Sequence, residues 1–394
     1  MKPLIAFNHP MTLTILMICF NIEGRGTYLR AFKLAKALSG FGHRLTVFVS
    51  SLSGKKIEEK LVDGVKVVSF PSMVHGSLQS GWDLYETYKR IQWLKTREFD
   101  IVHAFETRPN VIYPALYTRK KGAILFTDWA DWFGKRGSVE ERTKPIIRAV
   151  LRPIETYYEE NFRKQARGTT VICSTLFQKS VALGIEEENI LLLRNGFDNS
   201  DLQPLDMLTA RKSVNLPTDA FIIGYVGSSF SRDVALMKQS FERILNRIPE
   251  ARLLHVGRSN YAIGAKENVI HTGEVDPGSL NDYLNACNIF WLPLRDSNAN
   301  RGRFPIKLSD YLSIGRPIVT TSVGDLEDLI DDNDVGLVAD DNPQAITEKV
   351  MVLYHDSLMV ERLSRNALKL ANSYENSWQK RAKDLESFYF QKLT

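Results

Sequence analysis

Residues 13–50 read Leu13-Thr-Ile-Leu-Met-Ile-Cys-Phe20, Asn21-Ile-Glu-Gly24-Arg25-Gly26, Thr27-Tyr-Leu-Arg-Ala-Phe-Lys-Leu-Ala-Lys-Ala-Leu38 and, after Gly42-His43, Arg44-Leu-Thr-Val-Phe-Val-Ser50. A run of eight that is apolar but for Thr14 predicts a strand covered on both faces, not one with a wet side. Glycines follow, and then Leu29, Phe32, Leu34, Ala35 and Leu38 recur at helical spacing before a second apolar run. Strand, glycine turn, helix, strand is the unit of a doubly wound α/β sheet. The unit repeats outward, with strands expected at Val65–Phe70, Asp100–Phe105, Ala123–Thr127 and Thr169–Cys173, and helices at Trp82–Arg97 and Ser138–Arg167.

The pattern restarts in the second half. A turn-rich stretch holding Asn195-Gly196-Phe197-Asp198, Pro204 and Pro217 leads to a strand at Phe221–Val226, which runs into Gly227-Ser228. Further strands are expected at Arg252–Val256, Asn268–Thr272, Ile289–Pro293, Pro317–Thr321 and Gly336–Val338. Two α/β halves of similar size imply a cleft between them, with ligands at the carboxyl ends of the strands. We assign 1–200 to a first domain, 201–372 to a second, and 373–394 to a final helix packing back on the first. A length of 394 residues suits two cores of roughly 150–200 residues each.

Composition excludes several classes. Fifty-one Lys and Arg against 46 Asp and Glu leave a net charge of +5, too little for a dedicated nucleic-acid binder. Three scattered cysteines, Cys19, Cys173 and Cys287, make neither a disulfide framework nor a thiolate metal site, and fit a reducing compartment. No apolar run approaches the roughly 20 residues that span a bilayer, and no signal-peptide layout precedes Leu13. The expectation is a cytoplasmic protein, attached to a membrane at its surface if at all.

Phosphate-loop, zinc-protease and nucleophile-elbow motifs are missing from the sequence. Asp332-Asn333-Asp334 has a metal-binding form but sits in a polar turn, so no metal and no cofactor are expected. Gly24-Arg25-Gly26 occupies the place of a dinucleotide fingerprint, but Leu29 stands where the third glycine belongs. That disfavours a nicotinamide-dependent oxidoreductase. What remains is either a plain tight turn or a helix N-terminus suited to a phosphate or sugar hydroxyl.

The densest signal lies between Leu292 and Asp325. A strand ends at Pro293, a polar loop brings Arg295, Arg301 and Arg303, and Pro305 opens a helix that Gly315 ends. Lys307 and Asp310 share one face of that helix. Arg301, Arg303 and Lys307 suit a diphosphate, and Asp310 suits the hydroxyls of a ribose; a solvated basic loop with a surface Lys–Asp pair is the alternative. In the first domain, Thr127-Asp128-Trp129-Ala130-Asp131-Trp132-Phe133 follows a strand end and should face the cleft. Its two carboxylates between indoles suit a sugar, or else form a buried cap.

This order of motifs resembles the retaining GT-B glycosyltransferases of the large family 4 group. The likeness rests on Pro305-x-Lys307-x-x-Asp310-Tyr with Gly315-x-Pro317 and the Val323-Gly324 turn. It extends to Gly24-Arg25-Gly26-Thr27, Gly42-His43, Phe99-Asp100-Ile101-Val102-His103, Asn195-Gly196-Phe197-Asp198, Gly224-Tyr225-Val226-Gly227 and His255-Val256-Gly257. The resemblance implies transfer of a sugar from a nucleotide-sugar, a UDP- or GDP-sugar, to a glycan, lipid-linked or small-molecule acceptor with retention and without a metal. Donor residues would be Gly227, Ser228, Arg232, Arg301, Arg303, Lys307 and Asp310. Gly24, Arg25 and Gly26 would form the acceptor or phosphate loop, and Asp128, His103 and Asp131 are the catalytic candidates. The family's first donor-site glutamate falls on Gly302, so that carboxylate is absent. A nucleotide-sugar epimerase of the same fold and a catalytically inactive binding subunit are the rival readings.

Residues 135–167 hold nine Lys or Arg against five Asp or Glu. Lys144, Arg148 and Arg152 recur every four residues beside Ile147, Val150, Leu151, Ile154, Tyr157 and Tyr158. Such a helix suits an anionic membrane surface; a helix packed on its own domain is the alternative.

Overall fold

Alternate residues of the first strand divide between two cores. In the computed structural model, which describes residues 12–51, 55–73, 80–197, 202–227, 231–258, 263 and 267–393, Ile15, Met17 and Cys19 enter one apolar cluster and Leu16, Ile18 and Phe20 another. That is the period-two geometry of a strand covered on both faces. The first sheet contains β1 (Thr14–Ile22), β2 (Arg44–Ser50), β3 (Glu58–Val62), β4 (Val65–Phe70), β5 (Ile101–Phe105), β6 (Ile124–Trp129), β7 (Gly168–Val171) and β8 (Ile190–Leu192). Its order is β3-β4-β2-β1-β5-β6-β7-β8. All pairs are parallel except β3 with β4.

The second sheet is parallel throughout. It comprises β9 (Ile222–Val226), β10 (Arg252–Val256), β11 (Val269–Gly273), β12 (Ile289–Leu292), β13 (Ile318–Thr321) and β14 (Gly336–Ala339), ordered β11-β10-β9-β12-β13-β14. The fold is therefore two Rossmann-like α/β domains, and their strand ends face each other across a cleft. The three cysteines are free and buried. Cys287 packs so closely under Gly224 that a Cβ there would lie 2.6 Å from its sulfur.

Two strands carry no strong sequence signal. β3 is Glu-Glu-Lys-Leu-Val, an exposed edge strand with no buried face to impose a pattern; only the Asp63-Gly64 pair, at φ 49° and 79°, announces the hairpin. β8 is three residues long. The long helix expected over Ser138–Arg167 is broken. A 3₁₀ turn at Ser138–Glu141 precedes a helix at Pro145–Asn161, and a second turn, Arg163–Gln165, follows it. Pro145 cannot donate to a preceding turn, so the helix restarts there.

The last helix, Trp378–Leu393, returns to the first domain. Trp378, Leu385, Phe388 and Tyr389 join the core over the Thr27–Gly40 helix, and the Glu386 carboxylate meets His43 Nε2 at 2.9 Å. A Cβ at Gly196 would lie 2.5 Å from the Trp378 nitrogen, so the linker and this helix are in direct contact. Among the described residues no helix is long and apolar enough to cross a membrane.

Candidate functional site

A cavity of about 240 Å³ opens between the two sheets. The first domain lines it with Gly26, Thr27, Arg30, Ala130 and Asp131; the second lines it with Tyr225, Arg303 and Lys307. On the second-domain side, β9 is followed by Gly227 at φ 91°, and Gly257 approaches so near that a Cβ there would meet the Gly227 Cα at 3.0 Å. The Lys307 ammonium lies 3.9 Å from the Tyr225 ring centroid and within 3.7 Å of where a Gly227 Cβ would be. Only a glycine leaves that floor open to a ligand.

Lys307 begins the helix Lys307–Ile314, which Gly315 closes in the left-handed region at φ 71°. Burial pushes the Lys307 ammonium down to about 7, with Asp233 and Asp310 pulling the other way. Burial likewise pushes the Asp310 carboxyl up to about 7, against the pull of Lys307 and Lys33. Of the two, Lys307 lines the cavity, where a bound anion would favour its charged form, and Asp310, one turn further along the helix, does not line it.

Arg303 donates from Nε to Asp131 Oδ1 at 3.0 Å and from Nη1 to Asn300 Oδ1 at 3.0 Å. Arg301 does not line the cavity: its guanidinium is half-exposed and forked onto Asp296. The expectation that it joins the diphosphate cradle is corrected by that placement. Ser228 and the side chain of Arg232 lie outside the described residues.

On the first-domain side, Gly24 and Gly26 take φ of 78° and 52°. The Asn21 carboxamide oxygen accepts from Thr27 N at 2.8 Å and from Thr27 Oγ1 at 2.6 Å, capping the helix whose first turn faces the cavity. A Cβ on Gly26 would fall 2.6 Å from that oxygen. Arg25 reaches across to Glu274 of the second domain at 2.8 Å.

Asp128 does not face the cleft. It is fully buried and takes a two-pronged contact from Arg30, and its Oδ1 also accepts from Thr170 Oγ1. Burial raises its carboxyl, but the Arg30 charge and hydrogen bonds outweigh it and hold the group below the ordinary carboxylate value. His103 is also fully buried, between Tyr389 Oη at 2.7 Å and Thr170 Oγ1 at 3.2 Å. Burial pushes its imidazole down to about 4, so it is neutral near pH 7. Through Thr170 the two residues tie β5, β6 and β7 together, His103 alone reaching the last helix, and of the three carboxylate and imidazole candidates only Asp131 lines the cavity. Burial raises the Asp131 carboxyl, offset by Arg303.

Sequence reasoning missed Arg30 and its partners. Arg30 Nη1 donates to Asn195 Oδ1 at 3.1 Å, and Asn195 Nδ2 donates to the Phe304 carbonyl at 2.9 Å, so one chain of bonds runs from the first helix through the linker to the loop that carries Arg303. The available signal was an arginine in the buried stripe Thr27, Tyr28, Arg30, Ala31, Leu34. A buried guanidinium demands carboxylate and carbonyl partners. Among the described residues no group of three or more His, Cys, Asp or Glu is placed to hold a metal. Asp334 instead caps a helix and pairs with Arg362 and Asn366.

Comparison with known proteins agrees with this geometry. The family described as glycosyl transferases group 1 matches residues 220–356, and glycosyltransferase family 4 matches residues 26–201. A Bacillus subtilis (strain 168) protein, TuaH, named as a candidate teichuronic acid biosynthesis glycosyltransferase, is 26% identical over 210 residues. That match covers 50% of this chain and 48% of TuaH, so the chain spans about half the length of this curated relative. Sucrose-phosphate synthase of Thermosynechococcus elongatus superposes with a TM-score of 0.73 at 15% identity, over 96% of this chain and 98% of its own. Anabaena HepE, solved with UDP-glucose, gives 0.70 at 14% identity, over 96% and 100%. The two family matches fall one on each Rossmann-like domain, in the order the cleft requires, and the chain belongs to the group 1, family 4 glycosyltransferases of the GT-B fold.

Proposed function

We propose that this chain transfers a sugar from a nucleotide-sugar, a UDP- or GDP-sugar, to a glycan, lipid-linked or small-molecule acceptor with retention of configuration and without a metal. The observation that carries the reading is the convergence of Lys307 and Arg303 on one cavity wall, opposite Asp131 and the Gly26–Thr27 helix start. Breaking the anomeric bond builds negative charge on the leaving diphosphate. Preorganised cations in a cleft stabilise that charge more than water would. Lys307 and Arg303 supply the cations, and Asp310 accepts from the ribose hydroxyls. The acceptor hydroxyl attacks the anomeric carbon from the face the diphosphate leaves, and its proton passes to the departing phosphate oxygen. No enzyme nucleophile is needed, so the absence of a carboxylate at Gly302 leaves the step intact. Asp131 orients the sugar or acceptor hydroxyls. That HepE is described in complex with UDP-glucose supports the donor class.

The acceptor side is read as membrane-borne, at the cytoplasmic face. The Pro145–Asn161 helix turns Ile146, Val150 and Tyr157 outward, 81%, 56% and 55% exposed, while the residues it buries are Glu155 and Glu159. Between Pro145 and Ile154 its only charges are Arg148 and Arg152. An outward apolar stripe beside Arg148, with Arg152 paired to Glu140, favours an anionic bilayer over an acidic or neutral protein partner.

The test is a thermal-shift panel of UDP-, GDP-, ADP- and CMP-sugars, then product analysis in excess EDTA with and without membrane lipid extract. A ligand at 100 times its dissociation constant stabilises by about 2.7 kcal/mol. The expected result is one preferred donor and a glycosylated product of retained anomeric configuration, formed only with acceptor. Donor conversion without acceptor would establish the epimerase reading instead, and binding without any turnover the inactive-subunit reading. Activity abolished by EDTA and restored by Mg²⁺ would overturn metal independence.

A further inference from the structure

The segment that brings Asp131 to the cavity is held from outside by a single carboxylate. Glu159 Oε1 accepts from Phe133 N at 2.7 Å and from Trp129 Nε1 at 3.1 Å. Its Oε2 accepts from Gly134 N at 2.9 Å and meets the Lys179 ammonium at 3.3 Å. The Trp129 indole N–H is shared with the Asp131 carbonyl at 3.0 Å, so the bond to Glu159 reaches the backbone of Asp131 itself. A Cβ on Gly134 would lie 2.6 Å from Glu159 Oε2, which shows how closely the segment wraps the carboxylate. From the other side, Glu106 Oε1 accepts from Ala130 N at 2.8 Å; Glu106 itself is a non-glycine residue at φ 72°. Such conformations persist only where the surroundings over-determine them, and they gather at functional sites.

The placement of this segment matters on the far side of the cleft. Asp131 pairs with Arg303, and a Cβ on Gly302 would lie 2.9 Å from the Trp132 Cβ. The segment therefore occupies the space a side chain at position 302 would take. A shift outward would remove Asp131 from Arg303; a shift inward would drive Trp132 into the donor loop.

We propose that Glu159 is a positioning residue for sugar transfer, fixing the Trp129–Gly134 segment so that Asp131 stays in the cleft against Arg303. The inference rests on the transfer reading of that cleft. Glutamate is specific here because four donors converge on two acceptor-only oxygens. Glutamine would turn an NH₂ toward N–H donors and lose the ion pair with Lys179, leaving buried donors without partners.

The experiment compares Glu159→Gln, Glu159→Asp and the neighbouring Glu160→Gln, whose described contact is with Lys179 at 3.1 Å. The first readout is the indole ¹⁵N–¹H resonance of Trp129, assigned by Trp129→Phe. The second is kcat with the donor chosen by the thermal-shift panel, set beside that donor's Kd. Glu159→Gln should move the Trp129 resonance and speed its hydrogen exchange, and lower kcat at least tenfold with Kd unchanged within twofold. Glu159→Asp, which keeps two acceptor oxygens, should recover part of kcat, and Glu160→Gln should match the wild type. An unmoved Trp129 resonance with wild-type turnover overturns the proposal. So does a loss of turnover that follows donor affinity or the folded fraction. If the wild type turns over no nucleotide-sugar, the transfer reading fails and with it the catalytic part of the role. The indole resonance still decides whether Glu159 holds the segment.

Discussion

Lys307 and Asp310 are held by burial near a pH where each can change charge. On the proposed reading a diphosphate needs the ammonium form of Lys307, which is lost as pH rises through about 7. Ribose hydroxyls would donate to the carboxylate form of Asp310, which is lost as pH falls through about 7. Donor affinity should therefore peak near pH 7 and fall on both sides, and calorimetric titration from acid to alkaline buffer reads it. Asp310→Asn should flatten the acid limb and, because the Asp310 charge helps hold the Lys307 ammonium up, move the alkaline limb to lower pH; a flat profile in the wild type would refute the assignment. Lys307→Ala should cost about 1.5–3 kcal/mol of donor binding, tenfold or more. Asp128 behaves otherwise. Removing its charge strands Arg30 in the core, at about 3–5 kcal/mol, so Asp128→Asn should lower the urea midpoint sharply while donor affinity survives. The sign follows from its carboxyl lying below the unfolded value: the pair stabilises above the ordinary carboxylate range and is lost as pH falls through the folded value. An unchanged midpoint with abolished turnover would return Asp128 to the chemistry. That Lys307 and Asp310 share the first turn of one helix was legible because they sit at helical spacing behind a proline. The turn of Asp128 away from the cleft was not, since it depends on Arg30, 98 residues away in the chain.

At the scale of single elements, unbroken apolar runs gave the inner strands within a residue or two, because burial on both faces leaves little choice of residue. Elements that bury little escaped. β3 has a polar pattern because its faces are wet, and the Pro145–Asn161 helix reads as amphipathic in sequence without revealing which stripe turns inward. Its inward residues are Glu155 and Glu159, each with guanidinium, ammonium or N–H partners from distant segments that no local spacing encodes. The Thr27–Gly40 helix offers a sharper test. Gly26 combines a positive φ with a Cβ position 2.6 Å from the Asn21 oxygen that caps the helix. Gly26→Ala should expel Asn21 from the cap, at a cost of about 1–3 kcal/mol. It should also blunt turnover through the helix start facing the cavity, while the Lys307 side keeps its donor affinity. Asn21→Ala should reproduce the direction at about 1 kcal/mol. Thermal melts beside donor titrations separate the two effects, and a Gly26→Ala protein with wild-type turnover would show that the glycine serves the turn alone.

Across the whole molecule the two domains meet through Arg25 with Glu274, Asp131 with Arg303, Arg194 with Asp325, and the Asn195 bridge to Phe304. The last helix binds the second domain's chain end back to the first. The Pro145–Asn161 helix stands apart from these contacts, its apolar stripe outward on the first domain and its base on the segment that carries Asp131. Burying an apolar side chain of this size contributes about 1.5–3 kcal/mol when complete. Each cation near an anionic surface adds about 1 kcal/mol. Even partial insertion of Ile146, Val150 and Ile154 with Lys144 and Arg148 nearby should hold the protein on vesicles. Co-sedimentation should therefore require phosphatidylglycerol rather than phosphatidylcholine alone, and should weaken as salt shortens the Debye length to about 8 Å at physiological strength. Reversing Arg152 is a poor probe, because its guanidinium already meets Glu140 at 2.9 Å and a new acid there would disturb the preceding turn. Ile146→Glu with Val150→Glu is cleaner: both side chains are exposed, so the fold and donor affinity should persist while vesicle binding is lost. A wild type that ignores anionic vesicles at low salt, or a double variant that binds them equally well, would make this helix a structural prop and the acceptor a soluble one.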